Sequence, residues 1–241
     1  MHFPNTKAVV VALGLAALAP NVSADTVTVP FKRLTGFSGF DKASTAVFVA
    51  DLSKLGFTEI DKITLFDSNS GVGGSPGAFS GFDVDAIKLS TTPATTADEA
   101  SKAAAIEHAF DFTPAGTSFT PGTQRPPAAP KLFGTDASGL NVNPDSATLN
   151  TFDAKWFVSG FVSLGDGGSI AFNLKSPVST AGGLYAYVGE VSGSTGEAIS
   201  GGLVVSSPVP EPSTWALMLG GLGILSGMVT LHRSRRPIGS A

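Results

Sequence analysis

The fold is restricted most by a succession of short strand-like runs cut by turn signals. Thr26-Val27-Thr28-Val29 alternates strictly, which sets both valines on one side of an extended chain. Ala46-Val47-Phe48-Val49, Phe57-Thr58-Glu59-Ile60 and Ile63-Thr64-Leu65-Phe66 follow, then stretches 82–89, 109–113, 155–164, 169–174, 184–191 and 203–206. Gly165-Asp166-Gly167-Gly168 reads as a hairpin turn between two of these runs, and Gly182-Gly183 and Gly201-Gly202 punctuate the rest. Runs this short and this regularly spaced predict an all-β chain, an antiparallel two-sheet sandwich of jelly-roll type. One short helix interrupts it. Thr96-Ala97-Asp98-Glu99 has the form of a capping box, and the alanines that follow, with Lys102 and Glu107, carry helical propensity to about His108.

Both ends of the chain differ from this pattern. Residues 1–24 read as a secretory signal peptide. Lys7 supplies the positive start, Ala8 to Ala19 the apolar stretch, and Val22-Ser23-Ala24 the small residues of a cleavage site before Asp25. At the other end, Val209-Pro210-Glu211-Pro212-Ser213 precedes an uncharged run from Thr214 to Leu231, and Arg233-Ser234-Arg235-Arg236 follows. Eighteen residues rising about 1.5 Å each span roughly 27 Å, near the thickness of a bilayer core, so 214–231 is expected to form a transmembrane helix. The arginines would then face the cytoplasm and the body the outside.

This order of Pro-Glu-Pro, apolar span and arginine cluster resembles the PEP-CTERM sorting tail of Gram-negative bacteria, over residues 208–236 of this chain. The resemblance implies recognition by an exosortase, a membrane-embedded cysteine protease-transpeptidase that cuts near the Pro-Glu-Pro. It makes Pro210, Glu211, Pro212, Arg233, Arg235 and Arg236 sorting and processing elements. It also implies passage through the secretion machinery, transient anchoring in the inner membrane, and a destination at the cell surface or in an exopolysaccharide-containing matrix. The same tail is also described as an ice-binding-protein C-terminal region, a description that concerns the tail and not the body.

Between the ends lie residues 25–207, enough for one domain with its own core. The chain has no cysteine, so this exported body stands without disulfides. Once both ends are set aside, eleven Lys and Arg remain against eighteen Asp and Glu, a net charge of −7. Such a surface argues against nucleic acid as a partner.

Candidate chemistry in the body is sparse. Asp67-Ser68-Asn69-Ser70-Gly71 with Asp83-Val84-Asp85 alternates oxygen side chains around a glycine-rich connection. Asp67, Asn69, Asp83 and Asp85 are therefore candidate calcium ligands, calcium being the one cofactor the residues suggest. The twelfth position from Asp67 is Ala78, so the segment is no EF-hand. Gly81-Phe82-Asp83-Val84-Asp85-Ala86-Ile87 also resembles a stretch of exported bacterial β-sandwich domains, which implies a carbohydrate-binding or adhesin-like module. For such a module Trp156, Tyr185 and Tyr187 are the candidate stacking residues, with Tyr185 and Tyr187 on one sheet face by the two-residue period. Catalysis finds little support. His108 is the one histidine of the body, there is no Gly-x-Ser-x-Gly elbow, and zinc would need more His or Cys ligands. The carboxylates Asp111, Asp153, Asp166 and Glu190 leave a glycan hydrolase as the remaining enzymatic reading.

Overall fold

The computed structural model describes residues 24–39, 44–71, 73–152, 160–192 and 201–207. Both the signal-like segment and the tail, with its expected helix 214–231, lie outside them. Among the described residues no helix is long and apolar enough to cross a membrane.

Among the described residues, ten strands form two antiparallel sheets. They are β1 (Thr26–Val29), β2 (Lys32–Arg33), β3 (Ser44–Asp51), β4 (Glu59–Asp67), β5 (Asp83–Ser90), β6 (Thr117–Thr120), β7 (Val162–Ser163), β8 (Ser169–Ser179), β9 (Tyr185–Ser192) and β10 (Gly201–Ser206). One sheet has the order β1-β10-β4-β8-β6, the other β2-β3-β9-β5-β7. The pairings β5·β7, β4·β8, β3·β9 and β1·β10 nest one outside the next, as if one long hairpin had been rolled up. Rolling closes the sheets through β10·β4 and β9·β5.

Alternation decides what goes inside. Ile63 and Leu65 of β4, Ile170 and Phe172 of β8, and Leu203 and Val205 of β10 meet Ala46 and Phe48 of β3, Val84 and Leu89 of β5, and Ala186 and Val188 of β9 in one core. The runs expected at 57–60 and 63–66 are one strand, because a bulge between Ile60 and Lys62 lets both halves bury their apolar residues. Expected strand 109–113 is reduced to a single bridge, Phe110 to Leu174. Its backbone bonds run along β8, and Phe110 and Phe112 both set their rings edge-on to Phe172 at 5.8 and 5.6 Å.

The turn at Gly165–Gly168 is not a hairpin, since β7 and β8 lie in different sheets. It is a corner between sheets. Asp166 and Thr123 exchange backbone hydrogen bonds there, and Gly122 donates to the carbonyl of Leu164. A Cβ on Gly165 would stand 2.7 Å from the Gly122 carbonyl carbon, so the close approach of the two segments requires glycine.

Helix α1 (Ala97–Lys102) opens with the expected capping box. Thr96 Oγ1 accepts from the Glu99 amide and Glu99 answers at the Thr96 amide. It ends at Lys102, six residues short of His108, where its C-cap Ala103 has an extended ψ of 136°. The cause is tertiary. Lys88 Nζ, reaching up from β5, donates to the carbonyls of Ser101 and Ala103 at 3.0 and 2.8 Å, and Ser90 Oγ donates to that of Ala104 at 2.6 Å. These bonds take carbonyls that a longer helix would have used itself.

Candidate functional site

The two sheets differ in what covers their outer faces. On the β2-β3-β9-β5-β7 sheet, α1 and the segments beside it form a roof. Leu34, Val47, Ala86, Ala97, Ala100, Phe152 and Tyr187 pack there as a second apolar cluster. Tyr185 and Tyr187 do share this face, with rings 6.4 Å apart and nearly parallel. Tyr187 is wholly buried under the roof, and its hydroxyl donates to the Thr92 carbonyl at 2.8 Å. Burial pushes its phenol up to about 12. A ring in that position is a packing element. Tyr185 is half-buried beside it, and Trp156 lies outside the described residues. Lys88 crosses the same layer with its ammonium 5.2 Å from the Phe152 ring centre, and burial pulls its pKa down.

Gly189 sets the geometry under the roof. It belongs to β9, the strand between β3 and β5. Across it, Thr45 Oγ1 of β3 donates to Asp85 Oδ2 of β5 at 2.6 Å. A Cβ on Gly189 would come within 2.7 Å of Thr45 Cγ2 and 3.0 Å of Phe152 Cδ1. Two strands that are not neighbours therefore bond over a gap in the middle one.

The four candidate calcium ligands have different partners. Asp67 ends β4, and its Oδ1 accepts from the amides of Asn69 and Gly167 at 2.8 and 2.9 Å. Asn69 takes a left-handed φ of 58°. Asp83 accepts a very short hydrogen bond from Ser163 Oγ, and Asp85 takes that of Thr45. Among the described residues there is no group of three or more His, Asp or Glu placed to hold a metal ion. The glycine-rich connection is instead gathered by Arg125. Its guanidinium donates to the carbonyls of Gly71, Gly73 and Gly74 and stands 3.4 Å from Asp166 Oδ2. Sequence reasoning missed this residue, because nothing around Arg125 in the chain points to a loop fifty residues earlier.

The catalytic candidates are spread through structural duties. His108 is exposed at a left-handed φ of 55°. Asp166 pairs with Arg125, Asp111 Oδ1 accepts from the Thr113 amide at 3.0 Å, and Glu190 is buried on β9. Asp153 lies outside the described residues.

The β1-β10-β4-β8-β6 sheet presents its outward positions in rows across the strands. One row runs Thr28, Val204, Thr64, Ala171, Ser118, the next Thr26, Ser206, Lys62, Asn173, and the third Gly202, Phe66, Ser169, Thr120. Thr26, Thr28, Asn173, Ser118 and Thr120 are exposed, and Lys62, Thr64, Ser169 and Phe66 are half-buried. Phe66 alternates with Leu65, which points into the core, so its ring belongs to the outer face. Lys62 is the sole ionisable residue in the three rows. The signal was legible as alternation in Lys62-Ile63-Thr64-Leu65-Phe66, but its partners on four other strands were not.

The described residues form a β-sandwich, and the last strand among them ends at Ser206, just before a sorting segment. Residues 208–236 match the family model of the PEP-CTERM protein-sorting motif. The motif implies export and sorting to the cell envelope, with an exosortase as processing partner. Neither the curated proteins nor the solved structures contain a match to the chain.

Proposed function

We propose that the chain is a non-catalytic protein of the cell surface or extracellular matrix, made as a precursor with a removable segment at each end. Residues 1–24 act as a signal peptide. Residues 214–231 anchor the precursor in the inner membrane as a transmembrane helix until exosortase cuts near Pro210-Glu211-Pro212, and Arg233, Arg235 and Arg236 hold the tail tip at the cytoplasmic side. The observation that carries this reading is a coincidence of boundaries. The compact unit spans Ala24–Pro208, and the sorting motif starts at residue 208. The expected processing points, after Ala24 and near Pro210, therefore fall at the two ends of the folded body, outside its strands.

The body is a jelly roll on this reading. With β2 and β6 set aside as edge additions, the order β1-β10-β4-β8 over β3-β9-β5-β7 is that of eight strands wound as a rolled double ladder. The nested pairings support it.

The test is the intact mass of the native protein from envelope and supernatant. A mass lacking both the first 24 residues and the segment beyond the Pro-Glu-Pro is expected. A full tail retained in the membrane fraction would refute the processing step.

A further inference from the structure

We propose that the open face of the β1-β10-β4-β8-β6 sheet binds a neutral polysaccharide chain, with Phe66 as its stacking platform. The inference rests on the reading of the body as a surface or matrix protein, and gives that body its ligand class.

Three observations carry it. First, among the described residues the two outer faces are unequal. The other sheet is covered by α1 and the Tyr187 cluster, which buries the middle of that face. Second, the three rows at the middle of this face carry little charge although the body carries −7, with exposed Lys175 and Glu59 lying further along the same sheet. Lys62 alone is ionisable across the three rows, so neither a polyanion nor a basic protein surface finds counter-charges there. What the face offers is a field of hydroxyls and one amide from Thr26, Thr28, Thr64, Ser118, Thr120 and Asn173, the donors and acceptors that a polyhydroxylated neutral chain requires. Third, Phe66 sits between Gly202 and Ser169 in register. Glycine on one side and serine on the other are small neighbours for its half-buried ring, and an aromatic face accepts the apolar face of a sugar ring. Five strands at their usual spacing make a strip roughly 19 Å wide. That suits an extended chain crossing the strands better than a small ligand held in a pocket. Phe66 with Val204 and Ala171 in rows otherwise of glycine and polar residues is too little apolar surface for a stable second copy of the protein.

The experiment uses the full chain in detergent micelles. Its migration in gels containing barley β-glucan, dextran or alginate measures affinity for two neutral chains and one acidic chain. Retardation by at least one neutral chain is expected, with binding weakened about tenfold or more by Phe66→Ala. Thr64→Lys is a second variant, whose outward side chain leaves the core untouched, and it should weaken binding likewise. Tyr185→Ala, on the roofed face, should bind as the unaltered protein does. Absence of binding to both neutral chains, binding to alginate alone, or neutral-chain binding that survives both face variants would overturn the proposal. So would a dimer that Phe66→Ala dissociates. The mass measurement reads processing without any ligand, so the two proposals fail separately.

Discussion

Asp25 and Ser207, 182 residues apart, are joined by two hydrogen bonds: the Asp25 amide donates to Ser207 Oγ at 3.2 Å, and the Ser207 amide to the Asp25 carbonyl at 3.0 Å. The first residue expected after signal removal thus lies against the last residue before the sorting motif. β1 closes the edge of β10 and contributes Val29, 7% exposed, to the core. Deleting residues 25–29 from the chain should cost about 2–3 kcal/mol for the valine alone and leave β10 with a bare edge. Denaturant unfolding should register the loss, and light scattering the aggregation of the open edge. Unchanged stability would mean that β1 adds nothing to the sheet.

Gly189 tolerates no side chain. Gly189→Ala should destabilise the body by about 1–3 kcal/mol, since its Cβ meets Thr45 and Phe152 below contact distance. Thr45→Ser keeps the hydroxyl to Asp85 and removes the clashing methyl, so adding it should recover part of the loss. Chemical denaturation of both variants checks the pair.

Arg125 is the cation of the glycine-rich loop. Arg125→Ala leaves Asp166, 9% exposed, without its charge partner and three carbonyls without their donor, and should cost about 3 kcal/mol. Arg125→Lys should recover only part, because a single ammonium nitrogen lacks the planar fork that reaches the three carbonyls and Asp166 at once. With a guanidinium in this place, the melting temperature of the full chain is expected to be the same in excess calcium and in EDTA. A rise of several degrees with calcium would instead mark the Asp67, Asn69, Asp83 and Asp85 set as a real site.

Tyr187 should make the body alkali-sensitive. Its phenol is raised to about 12 in the folded state, whereas an unfolded tyrosine ionises near 10. Between those values the unfolded chain binds fewer protons, so the stabilisation is complete below pH 10 and is lost as pH rises towards 12. Tyr187→Phe should remove this contribution to the alkaline slope. It should also lose about 1 kcal/mol at neutral pH with the bond to Thr92. Unfolding midpoints measured at pH 7 to 11.5 give both effects.

Local physics was readable in the chain where one segment decides its own state. The alternation of Thr26 to Val29 and of Ile63 to Phe66 marked strands, the Thr96–Glu99 capping box marked a helix start, and the order of Pro-Glu-Pro, apolar run and arginines marked the tail, because each depends on residues within a few positions of one another. The end of α1 did not follow from propensity, since Lys88 and Ser90 on another element take its carbonyls. Gly165–Gly168 looked like a hairpin, but a turn does not record which sheet its flanking strands will join. Tyr185 and Tyr187 share a face as period two requires, yet only the packing of Ala97, Ala100 and Phe152 above Tyr187 made that face interior. Threonines scattered through the sequence at 26, 28, 64 and 120 come to one sheet surface, and Arg125 reaches Gly71, because strand pairing joins segments far apart in the chain. Short-range periodicity and turn chemistry are properties of the sequence itself; which face is roofed and which is open depends on long-range register, and that exists only once the core has closed.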